Sequence, residues 1–509
     1  MASLGDRRFC ERRANTNGTP LLHSNGLNIL PSYNDYFALT TVTTSLNTST
    51  LYLGGCIAGF VWGPVTDALG RRPALFWAAV LTLIAVVLQT AAQNVGMFIF
   101  ARVLIGFGTA ASGITGPAYL AETLPWRQRA WGLGIFNDFY YVGGLLAAGI
   151  TYGTADISGT WSWRLPSLLQ GVFSLGCIVI LPFLPESPRW LVARGRQAEA
   201  LTVLAQTNAR GDETDEIVLL QFREICDTLE YEKHDEARLS LGQILGNRGA
   251  RKRLIIATTC AVFSTLAGNI IASYYLGTML TNAGITDTTT QLQIVRFLPL
   301  PCQKCCWLEA DNVVQNIILN AWCLVISVCG TFFADKLGIK ATALISTGVM
   351  TVGIFLVGAL TKIYGTSEYT PGVYGTVAMI FIFMGAYSFG WTPLLYLVPA
   401  EILNYRIRAN GMSFFNFVLN ATALWGVFAF PFALEGIGWK TYMINGAWDV
   451  LVFAFILWYW VEIKGLTLEE IDAVMDGVKH SDVPDVAVAE QGAAAKAAAE
   501  KHEVNVVYT

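Results

Sequence analysis

Eleven blocks of about 18 to 25 mainly apolar residues divide this chain, and each is long enough to cross a ~30 Å hydrocarbon core at 1.5 Å per helical residue. They fall at Leu51–Leu69, Ala74–Asn94, Met97–Pro117, Trp131–Tyr152, Pro166–Leu184, Leu254–Thr281, Asn316–Ala334, Ala341–Lys362, Tyr374–Val398, Met412–Leu434 and Tyr442–Val461. Only 14% of the 509 residues are charged while 54% are hydrophobic. Water-facing surfaces need nearer 25% charged residues, so an ordinary soluble enzyme is excluded and an all-α polytopic membrane protein is expected. The ten cysteines show no regular spacing and imply no disulfide framework. Cys56, Cys177, Cys260 and Cys329 lie inside apolar blocks and read as small buried hydrophobes.

Loop charges orient the spans. Arg71 and Arg72, Arg127 and Arg129, the long 185–253 segment, Lys336 and Lys340, Arg406 and Arg408, and Lys464 fall in every second connection. Basic loops stay in the cytoplasm, so these connections and the C-terminus are expected inside, in the plasma membrane. The basic cluster Arg7, Arg8, Arg12 and Arg13 also reads as cytoplasmic, yet eleven spans put the start outside and residues 14–50 hold no run that could cross. The expectation is a first helix that has been lost or replaced.

With that helix restored, a charged linker separates six spans from six. The predicted organisation is an aberrant start over 1–50, an N-terminal bundle over 51–184, a linker over 185–253, a C-terminal bundle over 254–462 and a tail over 463–509. The tail is low in complexity and reads as disordered from Asp482. Paired bundles with a site between them suit a transporter.

The motifs repeat between the halves. Gly63-Pro-Val-Thr-Asp67-Ala-Leu-Gly70-Arg71-Arg72 has a reduced copy in Gly330-Thr-Phe-Phe-Ala-Asp335-Lys-Leu-Gly338-Ile-Lys340. An acid at a helix end, a glycine turn and a basic pair suit a latch across the half-interface. Glu122 and Arg129 stand seven residues apart at one helix end, and Glu401 and Arg408 repeat that spacing in the second half. Pro185-Glu186-Ser-Pro188-Arg189-Trp-Leu opens the linker, and Gly465-Leu-Thr-Leu-Glu469-Glu470-Ile-Asp472 follows the last span.

Together with Arg102-Val-Leu-Ile-Gly106-Phe-Gly108, Pro117-Ala-Tyr119-Leu-Ala-Glu122 and Trp163-Arg164-Leu-Pro166-Ser-Leu-Leu-Gln170, these motifs give a sequence that resembles the sugar porter family of the major facilitator superfamily. Within it the chain looks like fungal lactose permeases and hexose transporters. The resemblance runs from about Asn28 to Asp472 and implies twelve helices, alternating access and a carbohydrate substrate.

A neutral polyol needs amides, hydroxyls and aromatic faces, with no fixed counter-charge. Gln170, Asn269, Tyr274, Tyr275, Tyr396, Asn420 and Trp425 are the candidates within spans, the amides being the costliest to leave unused in lipid. The resemblance puts Gln170 at a sixth-helix sugar contact, Tyr396 at a tenth-helix aromatic and Asn420 near an eleventh-helix amide. The chain departs from the family at its seventh-helix glutamine pair, replaced by Ser264 and Thr265, and at Gly149, which implies a roomier site for a larger or different sugar.

For proton coupling the resemblance offers Arg102, whose family partner is an aspartate on the absent first helix. Asp138 is the other buried acid, with a local hydrogen bond to Asn137 or a water-facing site as its default and a sugar or proton role also open to it. Residues 295–315, with Cys302, Cys305 and Cys306, have no counterpart in the family pattern. A valine codon can begin with GT and glutamine can be CAG, so this insert reads as a translated intron rather than a metal knuckle. Asn47-Thr-Ser49 is an N-glycosylation acceptor in a predicted outer loop. The function expected is a monomeric sugar:proton symporter in a lipid bilayer, with no cofactor, metal or nucleic acid; the alternatives are a facilitative carrier and a non-transporting sugar sensor.

Overall fold

The computed structural model describes residues 36–37, 41–154, 157, 159–234, 248–274, 312–364, 370–464, 471 and 475. The helices are α1 (Thr41–Leu69), α2 (Arg71–Thr90), α3 (Val95–Thr123), α4 (Trp126–Thr154), α5 (Trp161–Leu169) and α6 (Gly171–Ile180). Three linker helices follow, α7 (Pro188–Ala193), α8 (Gln197–Asn208) and α9 (Glu216–His234). The second half holds α10 (Arg248–Leu266), α11 (Asn269–Tyr274), α12 (Asn312–Leu337), α13 (Ile339–Tyr364), α14 (Thr370–Ile402), α15 (Tyr405–Ile437) and α16 (Lys440–Tyr459). Among the described residues there is no strand, and nine helices are long and apolar enough to span a bilayer.

Small residues let the helices meet, since lipid tails leave packing rather than hydrophobicity to drive association. Gly54 lies against the α3 backbone, where an added Cβ would come within 2.8 Å of the Phe107 nitrogen. Gly106 returns the contact onto the backbone of Leu51. In the first half α3 packs on α1 and α2; in the second, α13 packs on α14 and α16. The halves join along two seams, α1 with α15 and α4 with α12. Large apolar side chains such as Phe183, Phe432 and Trp458 point outward, as a lipid-facing surface requires. Gly70 (φ 100) and Gly338 (φ 95) make the turns into α2 and α13 with a backbone that only glycine adopts freely.

Helices cover the described parts of the expected spans, with a break inside Pro166–Leu184 and residues 275–281 outside the description, and α1 begins ten residues before Leu51. Its polar first turns were read as a loop, but they face the bundle: Asn47, Ser49 and Thr50 are buried. Thr50 Oγ1 donates to the Asn47 carbonyl at 3.0 Å inside the helix. This placement corrects the 1–50 boundary and takes Asn47 out of an outer loop. At 1% exposure its amide has no room for a glycan. The linker helices build their own small core, in which Leu191, Leu204, Ile225 and Leu229 pack together and Tyr405 leans in from α15. Residues 1–35 and 295–311, Tyr275 and the tail from Asp482 lie outside the described residues. Of the supposed insert, 312–315 form the start of α12.

Candidate substrate site

At the meeting of the two halves lies a cavity of about 170 Å³, lined by side chains from α1, α3 and α4 on one side and α10, α11, α14 and α15 on the other. The helical path breaks at Gly268 (φ 88), between α10 and α11, and this turn carries Asn269 to the cavity wall. The lining holds the amides of Asn137, Asn269, Asn416 and Asn420, the hydroxyls of Ser264, Thr265 and Thr392, and the phenols of Tyr141, Tyr387 and Tyr396. Among the described residues that line it there is no Asp, Glu, Lys, Arg or His. Asn420 Nδ2 is held by the Asn416 carbonyl at 2.8 Å. The Tyr396 ring is fixed edge-on between Phe136 at 5.7 Å and Phe415 at 5.8 Å. Such a wall offers donors, acceptors and ring faces to a neutral polar solute, and would leave a charged one without a partner.

Of the substrate residues read from sequence, Asn269, Tyr396 and Asn420 meet here, as do Ser264 and Thr265. Gln170 does not: it sits at the break between α5 and α6, and its Nε2 donates to Gln89 Oε1 at 3.2 Å. Trp425 is 59% exposed on the outer face of α15. Tyr274 lies in α11, and only its backbone is described. The residues that sequence reading missed are Asn416, Tyr141 and Tyr387. Asn416 stands four residues before Asn420, a spacing that puts both amides on one helix face and could have found it. Asp449 was also missed; it is wholly enclosed in the second half and is not among the cavity-lining residues, and neither oxygen has a hydrogen-bond partner among the described residues.

At the end of the molecule that carries the basic loops, the motif residues close a latch. Arg71 Nη1 bonds Asp67 Oδ1 at 3.2 Å within the first motif. Arg71 Nε also reaches Glu122 Oε2 at 3.0 Å, while Arg408 Nη1, from the opposite half, meets Glu122 Oε1 at 3.0 Å. All three side chains of this bridge are essentially without solvent contact. Ser187 Oγ donates to Glu122 Oε2 at 2.5 Å, and Arg189 adds another nearby positive charge. The Arg71 guanidinium lies over the Tyr405 ring at 5.0 Å.

Glu186 accepts from the backbone N–H of Arg71 and of Arg72, at 3.0 and 3.2 Å, which satisfies orphan donors at the start of α2. Burial pushes its carboxyl above the ordinary range, although these donors and Arg71 pull the other way. The second half repeats the device with a residue that sequence reading overlooked: Glu462 accepts from Ile339 N at 2.9 Å and Lys340 N at 3.1 Å. Arg72 bonds the Leu184 carbonyl at 2.9 Å. Arg129 is buried at the start of α4 and Glu401 half-buried at the end of α14. The Asp335 side chain falls outside what is described. Arg102 is buried in α3 with its guanidinium 5.0 Å from the Phe98 ring centre.

Two helical bundles around an uncharged polar cavity, latched at one end by an ion cluster, define a membrane transporter. The chain belongs to the sugar (and other) transporter family, which it matches over residues 13–475. It is 28% identical to the high-affinity glucose transporter of Kluyveromyces lactis, over 86% of this chain and 79% of that protein. With the H(+)/hexose cotransporter 2 of Parachlorella kessleri it shares 26% identity, over 84% and 74% of the two chains. Its fold is that of the proton:xylose symporter XylE bound to 6-bromo-6-deoxy-D-glucose, with a TM-score of 0.72 at 21% identity over 90% of this chain and 96% of that one. Against the inward open conformation of XylE from E. coli the TM-score is 0.61, at 21% identity over 89% and 97%.

Proposed function

We propose that this protein is a plasma-membrane sugar:proton symporter that carries one hexose-class sugar at a time by alternating access, working as a monomer with its C-terminus in the cytoplasm. The observation that carries this reading is the cavity between the halves: amides, hydroxyls and aromatic rings from both bundles, no fixed charge, and a volume near that of one monosaccharide. The names of the relatives, a glucose transporter and a proton-coupled hexose carrier, support the substrate class. The basic loops put the latched end in the cytoplasm, so the conformation described is closed on that side. Asn269, Asn416, Asn420 and Tyr396 hold the sugar, and Arg102 serves coupling, as the family resemblance implies.

Uptake of labelled glucose into cells lacking their own hexose carriers tests the reading. Accumulation above the outside concentration that a protonophore abolishes is the expected result; uptake indifferent to the protonophore leaves a facilitative carrier, and no uptake of any sugar leaves a sensor. Asn269→Ala is expected to raise KM about tenfold with little change in kcat, the worth of a hydrogen bond of about 1.4 kcal/mol made equally in binding and translocation. Competition by a panel of unlabelled sugars, run on both proteins, checks it.

A further inference from the structure

We propose that Asp138 is the group that carries the coupled proton, loaded from the central cavity and discharged to the cytoplasm when the α4–α12 seam parts. The proposal rests on the symport reading. Asp138 lies on α4 in the first half, 3% exposed, and its Oδ2 accepts a 2.8 Å hydrogen bond from Thr331 of α12 in the second half. Ser327, one turn away on α12, faces the same carboxyl. Oδ1 has no hydrogen-bond partner among the described residues. Gly134, one turn nearer the cytoplasm, brings the two helices so close that a Cβ there would stand 2.8 Å from Thr331 Oγ1. The carboxyl is therefore shut in by the seam that must open for release, and its surroundings change from packed protein to water in each cycle.

Between Asp138 and the cavity, α4 carries a further hydroxyl. One turn outward on α4, the Tyr141 hydroxyl pairs with Ser388 Oγ at 2.8 Å and Thr392 Oγ1 at 3.2 Å, both on α14. Tyr141 and Thr392 line the cavity. Hydroxyls both accept and donate, so this group can hand a proton from the cavity toward α4; uptake by Asp138 makes the neutral acid, and once the seam is wet the O–H bond breaks and the proton passes to water. The thiols and phenols on the helices packed against α4 are Cys323 and Cys329 of α12, Tyr374, Tyr387 and Tyr396 of α14 and Tyr119 of α3. The charged residues Glu122, Arg127, Arg129, Asp335, Lys336 and Glu401 fall in the terminal turns on the side of the basic loops, while Arg102 of α3 and Arg164 of α5 fall toward the opposite ends. Along the seam no fixed charge among the described residues competes for the proton.

Asp138→Asn keeps an acceptor for Thr331 but cannot take up a proton, so it separates a strut from a carrier. With an inward pH step of one unit, one proton per sugar supports about tenfold accumulation. The variant is expected to exchange labelled for unlabelled hexose across the membrane at near the original rate, to accumulate nothing above the outside concentration, and to lose its pH dependence; Asp138→Glu restores part of the accumulation. Tenfold accumulation by Asp138→Asn with the original pH profile overturns the proposal. If the variant does not even exchange, Thr331→Val decides: a shifted pH midpoint for accumulation supports the proposal, and an unmoved one overturns it. If the unaltered protein fails to accumulate, it is the symport reading that falls, and these outcomes are distinct.

Discussion

Replacing Glu122 by alanine is expected to destabilise the cytoplasm-closed protein by about 3–5 kcal/mol, the typical consequence of removing one member of a buried ion cluster. Glu122 lies between Arg71 of its own half and Arg408 of the other, and all three side chains are at most 1% exposed. Without it the two buried guanidinium groups lose the carboxylate they share. Separation of the bundles relieves this by wetting Arg408, so the inward-open population rises. The check is a single cysteine at Ser413, buried on α15 beside Gly63, in a background from which the ten native cysteines are removed. Its labelling by a membrane-permeant maleimide should accelerate at least tenfold in Glu122→Ala, with a lowered melting temperature. Labelling unchanged by the substitution counts against the latch.

The second large effect is a wedge. Gly59 on α1 meets Phe417 on α15 so closely that an added Cβ would lie 2.7 Å from the Phe417 Cβ and 2.8 Å from its backbone nitrogen. Backbone cannot step aside as a flexible side-chain tip can. Gly59→Leu is expected to oppose closure of the cytoplasmic side by about 1–3 kcal/mol, the usual cost of overpacking. At 1.4 kcal/mol per decade, net uptake falls by roughly tenfold to a hundredfold. Because opening relieves the clash, the melting temperature should fall far less than for a buried substitution inside one bundle. The Ser413 cysteine should again become reactive; a silent reporter together with lost uptake would mean misfolding rather than a trapped state.

Much of this architecture is legible in the chain because apolar length and loop charge act locally. The latch was readable as well, since its acids and bases belong to motifs that occur twice. What escaped were facts of rotation about a helix axis. In a segment apolar on every side, nothing in the sequence distinguishes Trp425, which faces outward, from Tyr396, which faces the cavity. Gln170 looked costly to bury idle, and its amide donates to Gln89 of α2, a pairing that depends on tertiary contact. Asn47 looked like a loop residue because its neighbours are Thr and Ser; packing against other helices overrode the weak helix preference of those residues. Glu462 lay between the last expected span, which ended at Val461, and the tail motif, which began at Gly465.

The Tyr405 ring packs on the apolar core of the linker and also lies beneath the Arg71 guanidinium in the latch. Moving α15 away from the first half must therefore peel one aromatic surface off two partners, one of them the helical unit of the linker. The linker is thus a counterweight on the rocking motion. A substitution that loosens this small core is expected to ease separation of the halves, and one that firms it to hold them together, from a place outside the cavity lining.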